Sequence, residues 1–174
     1  MCPYSGCREN ERGRRKNEKD NLRAYIGVGS NVGDRRGNCR RAIELIERAD
    51  MAVTARSGMY ETKAWGVVNQ PDFINMCVGI ETRLTPFQLL DALQAIEIQT
   101  GRRKSYKWGP REVDLDILFC GERVIDEERL KIPHPYAHLR GFVLEPLAEI
   151  APEFVHPVIG QTIEHLLRSL QTPA

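Results

Sequence analysis

From Ala24 onward, apolar and polar positions alternate between two periods. AYIGVG (24–29) is a short apolar run closed by glycine, and the following GSNVGD (29–34) is rich in turn formers, so the pair predicts a first strand and a loop. Cys39, Ala42, Ile43, Ile46 and Ala49 then recur at helical spacing, while Arg40, Arg41, Glu44, Glu47 and Arg48 fall mostly on the opposite side. Residues 53–60 and 72–82 read as extended. The second is the clearer, because Ile74, Met76, Val78 and Ile80 alternate with Asn75, Cys77, Gly79 and Glu81. Thr85-Pro86-Phe87-Gln88 has capping-box spacing with proline at the first helical position, and apolar Leu89, Leu90, Leu93 and Ile96 follow before Gly101 ends the helix. In VDLDILF (113–119), Val113, Leu115, Ile117 and Phe119 alternate with Asp114 and Asp116, which is strand periodicity carrying two carboxylates on one face.

The resulting order, β-α-β-β-α-β, predicts an α+β, ferredoxin-like sandwich with its helices on one side of a mainly antiparallel sheet. Residues 123–132 add a hairpin, and Ile163, Leu166, Leu167 and Leu170 mark an amphipathic C-terminal helix. Residues 1–23 stand apart, with seven Lys or Arg against four acids and few apolar side chains, and read as a disordered basic extension ahead of a single domain over 24–174.

Composition narrows the class. A chain of 174 residues, 41% hydrophobic and 28% charged, can build one ordinary core. The formal net charge of +1 sums a tail surplus of three and a body deficit of two, which argues against coating nucleic acid through bulk charge. No apolar stretch approaches the roughly 18 residues of a membrane helix, and the first residues lack the apolar centre of a secretory signal. Five scattered cysteines without a C-x-x-C pair fit reduced thiols, with Cys39 and Cys77 in the core. A cytoplasmic, monomeric protein bound to neither nucleic acid nor membrane is expected.

Residues 102–111, RRKSYKWGPR, hold five Lys or Arg and no acid, which calls for an anionic partner or a solvated face. Asp114 and Asp116 follow directly, their Cα atoms about 6.6 Å apart on one side of a strand. Such a pair repels itself unless a cation intervenes, and magnesium prefers a carboxylate or two plus phosphate oxygens and water. Cationic side chains beside it suggest a polyphosphate held from both sides; a solvent-facing edge with alternating acids is the plainer alternative. No G-x-x-x-x-G-K-[ST] occurs, and GVGSNVGD lacks the third Rossmann glycine.

Four segments, AYIGVGSNVGD, WGVVNQPDFIN, KWGPREVDLDIL and IPHPYAHLRGFVLEPL, occur in order and resemble the 6-hydroxymethyl-7,8-dihydropterin pyrophosphokinases of folate biosynthesis, from about Ala24 to Leu170. The resemblance implies a ferredoxin-like fold and an ATP-dependent diphosphotransferase. In that reaction the pterin hydroxymethyl oxygen attacks the β-phosphorus of MgATP and AMP departs. It implies Asp114 and Asp116 as ligands of two Mg²⁺ ions, and Arg102, Arg111, His134 and Arg140 acting at the phosphates and reacting groups. Gln94, Glu97, Lys104, Trp108, Ile117 and Arg129 fall at the ATP. Thr62, Trp65, Phe73, Asn75 and Phe142 fall at the pterin, the two phenylalanines sandwiching its ring and the amide bonding its edge.

Lys104, Lys107 and Tyr136 stand where many relatives have arginine, and lysine supplies a point charge without the bidentate fork. Phe73 and Phe142 could instead be ordinary core residues. His134 and His138 have the spacing of a metal pair, but Pro133 and Pro135 argue against a helix there. Two further alternatives share the element order: an RNA-binding domain using sheet-surface aromatics, and a catalytically silent relative that binds nucleotide.

Overall fold

A computed structural model of the protein describes residues 21–64, 70–101 and 110–171. Seven strands and four helices follow in the order β1 (Leu22–Ser30), α1 (Arg35–Arg48), β2 (Ala52–Arg56), β3 (Tyr60–Thr62), β4 (Phe73–Thr82), α2 (Pro86–Gln99), β5 (Asp114–Cys120), β6 (Ile125–Asp126), β7 (Lys131–Ile132), α3 (Gly141–Ile150) and α4 (Ile163–Gln171). The main sheet runs β2-β4-β1-β5, with β3 also paired to β4, and every neighbouring pair is antiparallel. The predicted hairpin is the separate β6–β7 ribbon.

Alternation along the strands decides what each sheet face buries. Ala24, Ile26 and Val28 of β1, Ile74, Met76, Val78 and Ile80 of β4, and Leu115 and Ile117 of β5 pack in one core with Cys39, Ala42, Ile43 and Ile46 of α1 and Leu89, Leu93 and Ile96 of α2. The capping box of α2 forms as expected: Gln88 N–H donates to Thr85 Oγ1 (3.3 Å) and Thr85 N–H to Gln88 Oε1 (2.9 Å). Gly101, at φ +103°, takes the helix-terminating conformation glycine permits.

The other sheet face overturns the expectation of helices on one side. Cys77, Leu118 and Phe119 there meet Val143, Leu144 and Leu147 of α3 and Ile163 and Leu166 of α4, so the molecule has three layers. A register shift between β1 and β5 pairs Tyr25 with Phe119 and Ile26 with Ile117. This bulge leaves Leu118 without an opposite residue and lets Leu118 and Phe119 both enter the second core. The helix α3 escapes a pattern reading because Pro146, a helix breaker by rule, lies inside it, buried beside Val143, Leu144 and Leu147. The face that an RNA-binding domain would present is thus largely covered.

Two boundaries also differ. The extended stretch expected at 53–60 divides into β2 and β3, both paired to β4 but with a break at 57–59, where Ser57 Oγ instead accepts the Cys77 N–H (2.9 Å). Strand β1 begins at Leu22, two residues earlier than predicted: Leu22 is buried opposite Thr82, and Arg23 pairs with Glu81 at 3.1 Å. Cys39, Cys77 and Cys120 are buried free thiols. Among the described residues no helix is long and apolar enough to cross a membrane.

Candidate active site

Strand β1 lies between β4 and β5, and its two glycines sit where those neighbours carry functional side chains. Gly29 is paired with Asn75 on one side and Asp114 on the other, and Gly27 with Cys77 and Asp116. All six positions share the face away from α1 and α2, so a strip without side chains runs between the amide and the carboxylates. With strands about 4.8 Å apart, Asn75 and Asp114 are separated by roughly 10 Å across one glycine. The strip floors a cleft of about 290 Å³ lined by Phe73, Asn75, Arg111, Asp114, Asp116, His134, Arg140 and Phe142, among others.

On the β4 side, Asn75 Nδ2 donates to Thr62 Oγ1 at 2.7 Å, which fixes the amide orientation, and leaves its Oδ1 on the Gly29 side. A Cβ on residue 29 would lie 3.0 Å from that oxygen, closer than carbon tolerates without displacing it. Phe73, at the start of β4, and Phe142, in the first turn of α3, are only partly buried, and both contribute apolar surface to the cleft.

Across the strip the chemistry is ionic. Arg111 forms an ion pair with Asp114, and His134 Nε2 lies 4.0 Å from Asp116 Oδ2. Depth in the fold and then the Asp114 carboxylate raise the Asp116 pKa, while Arg140 and Arg111 oppose the rise. The Asp116 side chain is 44% open to the cleft, so water there tempers the shift. Burial, reinforced by Arg140, lowers His134 to about 4 and keeps the imidazole neutral at pH 7. Its Nδ1 accepts the Tyr136 N–H (3.2 Å), which puts the ring proton on Nε2, facing the aspartates. The Arg140 guanidinium lies 5.2 Å from the Tyr136 ring centre and 5.6 Å from that of Phe142. Tyr136 therefore offers Arg140 a face rather than adding a cation of its own.

Among the described residues no cluster of three or more His, Cys, Asp or Glu side chains could hold a metal by itself. A pair of carboxylates on one strand face suits magnesium, which completes its octahedron with substrate oxygens and water. His138 is directed elsewhere, with its ring 5.9 Å from that of His156, so it forms no pair with His134.

The cleft thus gathers Phe73, Asn75, Arg111, Asp114, Asp116, His134, Arg140 and Phe142, with Thr62 just behind its lining as the acceptor that anchors Asn75. Four other residues lie outside its lining. Gln94 is exposed on α2, and Glu97, 4% exposed, accepts the Leu115 N–H (2.8 Å). Ile117 points into the core on the opposite sheet face, and Arg129 pairs with Asp91 of α2. Trp65, Arg102, Lys104, Lys107 and Trp108 lie outside the described residues. In the sequence Gly27 and Gly29 register only as an incomplete Rossmann match, although glycine at both cleft-facing positions of an otherwise apolar strand is their signal; Asn31 and Gln70 carry no periodic signal.

Residues 25–152 match a family profile described as 7,8-dihydro-6-hydroxymethylpterin-pyrophosphokinase. The chain is similar to curated proteins named 2-amino-4-hydroxy-6-hydroxymethyldihydropteridine pyrophosphokinase. It is 43% identical over 140 residues to that of Aquifex aeolicus (80% of this chain, 87% of the relative) and 47% identical over 131 residues to that of Bacillus subtilis (75% and 78%). The Synechocystis protein of the same name is 45% identical over 152 residues, 87% of this chain and 77% of the relative. Among solved structures it resembles wild-type Plasmodium falciparum HPPK-DHPS with pterin and p-hydroxybenzoate bound, with TM-score 0.69 and 18% identity. That alignment covers 86% of this chain but only 42% of the longer Plasmodium chain, so the likeness concerns the fold of that part.

Proposed function

The chain belongs to the 7,8-dihydro-6-hydroxymethylpterin-pyrophosphokinase family, the folate-pathway enzymes that use ATP and Mg²⁺ to transfer pyrophosphate to 6-hydroxymethyl-7,8-dihydropterin, and from that membership we propose how its cleft divides the work. The observation that carries the proposal is the row Asn75, Gly29, Asp114, which sets an amide suited to a heteroaromatic edge one bare strand away from a metal-binding carboxylate.

Pterin binds on the β4 side. Phe73 and Phe142 offer its ring aromatic faces and Asn75 held by Thr62 bonds its edge; the family resemblance adds Trp65 to this group. Asp114 and Asp116 would hold two Mg²⁺ ions with the triphosphate, and bound metal would supply neutralisation of the phosphate charge. Arg111 and Arg140 oppose the remaining charge on the β- and γ-phosphates, with Arg102 assisting, and neutral His134 donates its Nε2–H to a phosphate oxygen. The pterin hydroxyl oxygen bonds to the β-phosphorus as the bond from that phosphorus to the bridging oxygen on the α-phosphate breaks. AMP leaves with that oxygen, and the hydroxyl proton passes to solvent. Positioning and charge neutralisation account for catalysis without a dedicated side-chain base.

Gln94, Glu97, Ile117 and Arg129, with Lys104 and Trp108, would serve the nucleoside. Strand β5 stands last in the sheet order, Glu97 of α2 accepts its Leu115 N–H, and Arg129 of the β6–β7 turn pairs with Asp91 of α2, which supports that reading. The strand order β2-β4-β1-β5, all antiparallel, supports a ferredoxin-like sheet elaborated by α3 and α4. Buried free thiols support a cytoplasmic setting. We propose a monomer without nucleic-acid partners, its single domain starting at Leu22.

The test is AMP release from ATP with and without the hydroxymethyldihydropterin, in Mg²⁺, for the wild type, Asp114→Ala and Asp116→Ala. Pterin-dependent AMP release is expected to fall at least about a hundredfold in either variant with the circular dichroism spectrum unchanged. Near-normal turnover in either would refute the metal assignment.

A further inference from the structure

The described residue that ties the two halves of the cleft together is Asn31, which immediately follows β1. It is 2% exposed, and its backbone N–H and both ends of its side-chain amide are hydrogen-bonded. Its backbone N–H donates to the Arg111 carbonyl (3.1 Å), and its Oδ1 accepts the Arg111 N–H (2.8 Å). Both backbone hydrogen-bonding groups of Arg111, three positions before Asp114, are therefore held by one residue. The opposite end of the same amide, Nδ2, donates to Gln70 Oε1 (3.2 Å) and the Pro71 carbonyl (3.4 Å). Two residues further on, Phe73 opens β4, and the intervening Asp72 carbonyl accepts from Arg35 Nη1 (2.6 Å). Only a side-chain amide presents an acceptor and a donor in this arrangement; aspartate, serine or leucine would lose one side or both.

We infer that Asn31 is a positioning residue that energetically couples the nucleotide and pterin halves of the site. The inference rests on the assignment of Arg111 to phosphate and Phe73 to pterin. A ligand that draws Arg111 into place pulls on the Asn31 amide, and the same amide locates the 70–71 backbone from which Phe73 projects. Coupling between sites is reciprocal and is measured as the ratio of one ligand's affinity with and without the other. A plain structural role for a buried asparagine would lower stability or weaken each ligand separately, but would leave that ratio alone.

The experiment measures 6-hydroxymethyl-7,8-dihydropterin affinity by calorimetry on the full chain, with and without saturating α,β-methylene-ATP and Mg²⁺. The wild type should bind pterin at least about fivefold more tightly with the nucleotide analogue present. Asn31→Ala should bring the ratio close to one. Because that variant could lose stability, Gln70→Leu and Gln70→Glu give a second arm. The leucine removes the acceptor of the cross-link and should reduce the ratio, whereas glutamate keeps an acceptor and should preserve it. Gln70 also lines the cleft, but a direct effect on pterin binding cancels in the ratio. A wild-type ratio near one, or a wild-type ratio retained in Asn31→Ala and Gln70→Leu, would overturn the inference. Separate single-ligand titrations of Arg111→Ala and Phe73→Ala check the underlying assignment: unchanged nucleotide affinity in the first, or unchanged pterin affinity in the second, defeats the assignment itself.

Discussion

Gly29 shows how a residue without a side chain can set the space between its neighbours' side chains. It is paired with both Asn75 and Asp114, and the 3.0 Å separation between a hypothetical Cβ and Asn75 Oδ1 means that even alanine makes the amide give by a few tenths of an ångström against its Thr62 anchor. Gly29→Ala is therefore expected to weaken pterin binding about tenfold, the equivalent of ~1.4 kcal/mol for one displaced hydrogen bond, with Mg-nucleotide affinity unchanged. Calorimetric titration of each ligand checks this, and equal losses for both would show that the glycine serves the sheet rather than the pterin. The aspartates were legible in the sequence because two acids interrupt an apolar alternation, an arrangement a fold tolerates poorly without a cation. Gly29 and Asn31 were not, since their roles exist only through strand pairing and contacts 39 to 80 residues away in sequence.

At the level of elements, structure specified by adjacent residues is legible in the sequence and structure specified by distant ones is not. The capping box of α2 and the alternation of β4 are written in adjacent residues, and both appear as read. The helix α3 is not written that way: Pro146 argues against it locally, and burial against the sheet outweighs that objection. The segment between α3 and α4 closes on His156, whose Nδ1 accepts the N–H groups of Val158 and Ile159 (3.2 Å each) while its ring meets the edge of Phe119. Burial first, then the adjacent His138, hold its pKa below the ordinary value of 6.5. A histidine with a depressed folded pKa binds fewer protons folded than unfolded. The stability it secures is present above pH 6.5 and is lost as pH falls through the folded value. Between pH 6.5 and 5 the melting temperature of the wild type should fall more steeply than that of His156→Gln, with His138 and the surrounding carboxylates common to both. Parallel pH profiles by scanning calorimetry would contradict this.

For the whole molecule, the question is where the domain starts. Because Leu22 is buried and Arg23 pairs with Glu81, removal of residues 1–20 should leave turnover and melting temperature nearly unchanged, whereas removal of 1–24 should lower the melting temperature by several degrees. A large loss from the shorter deletion would make the basic extension part of the domain. Three layers also divide the labour: α1 and α2 bury one sheet face, and the cleft opens on the other beside α3. The separation between amide and carboxylate across β1 is set by backbone hydrogen bonding, which nearly every amino acid can supply. Such a length is inherited through no single codon. It can survive while most side chains drift, and it offers selection the two ends to vary but not the gap between them.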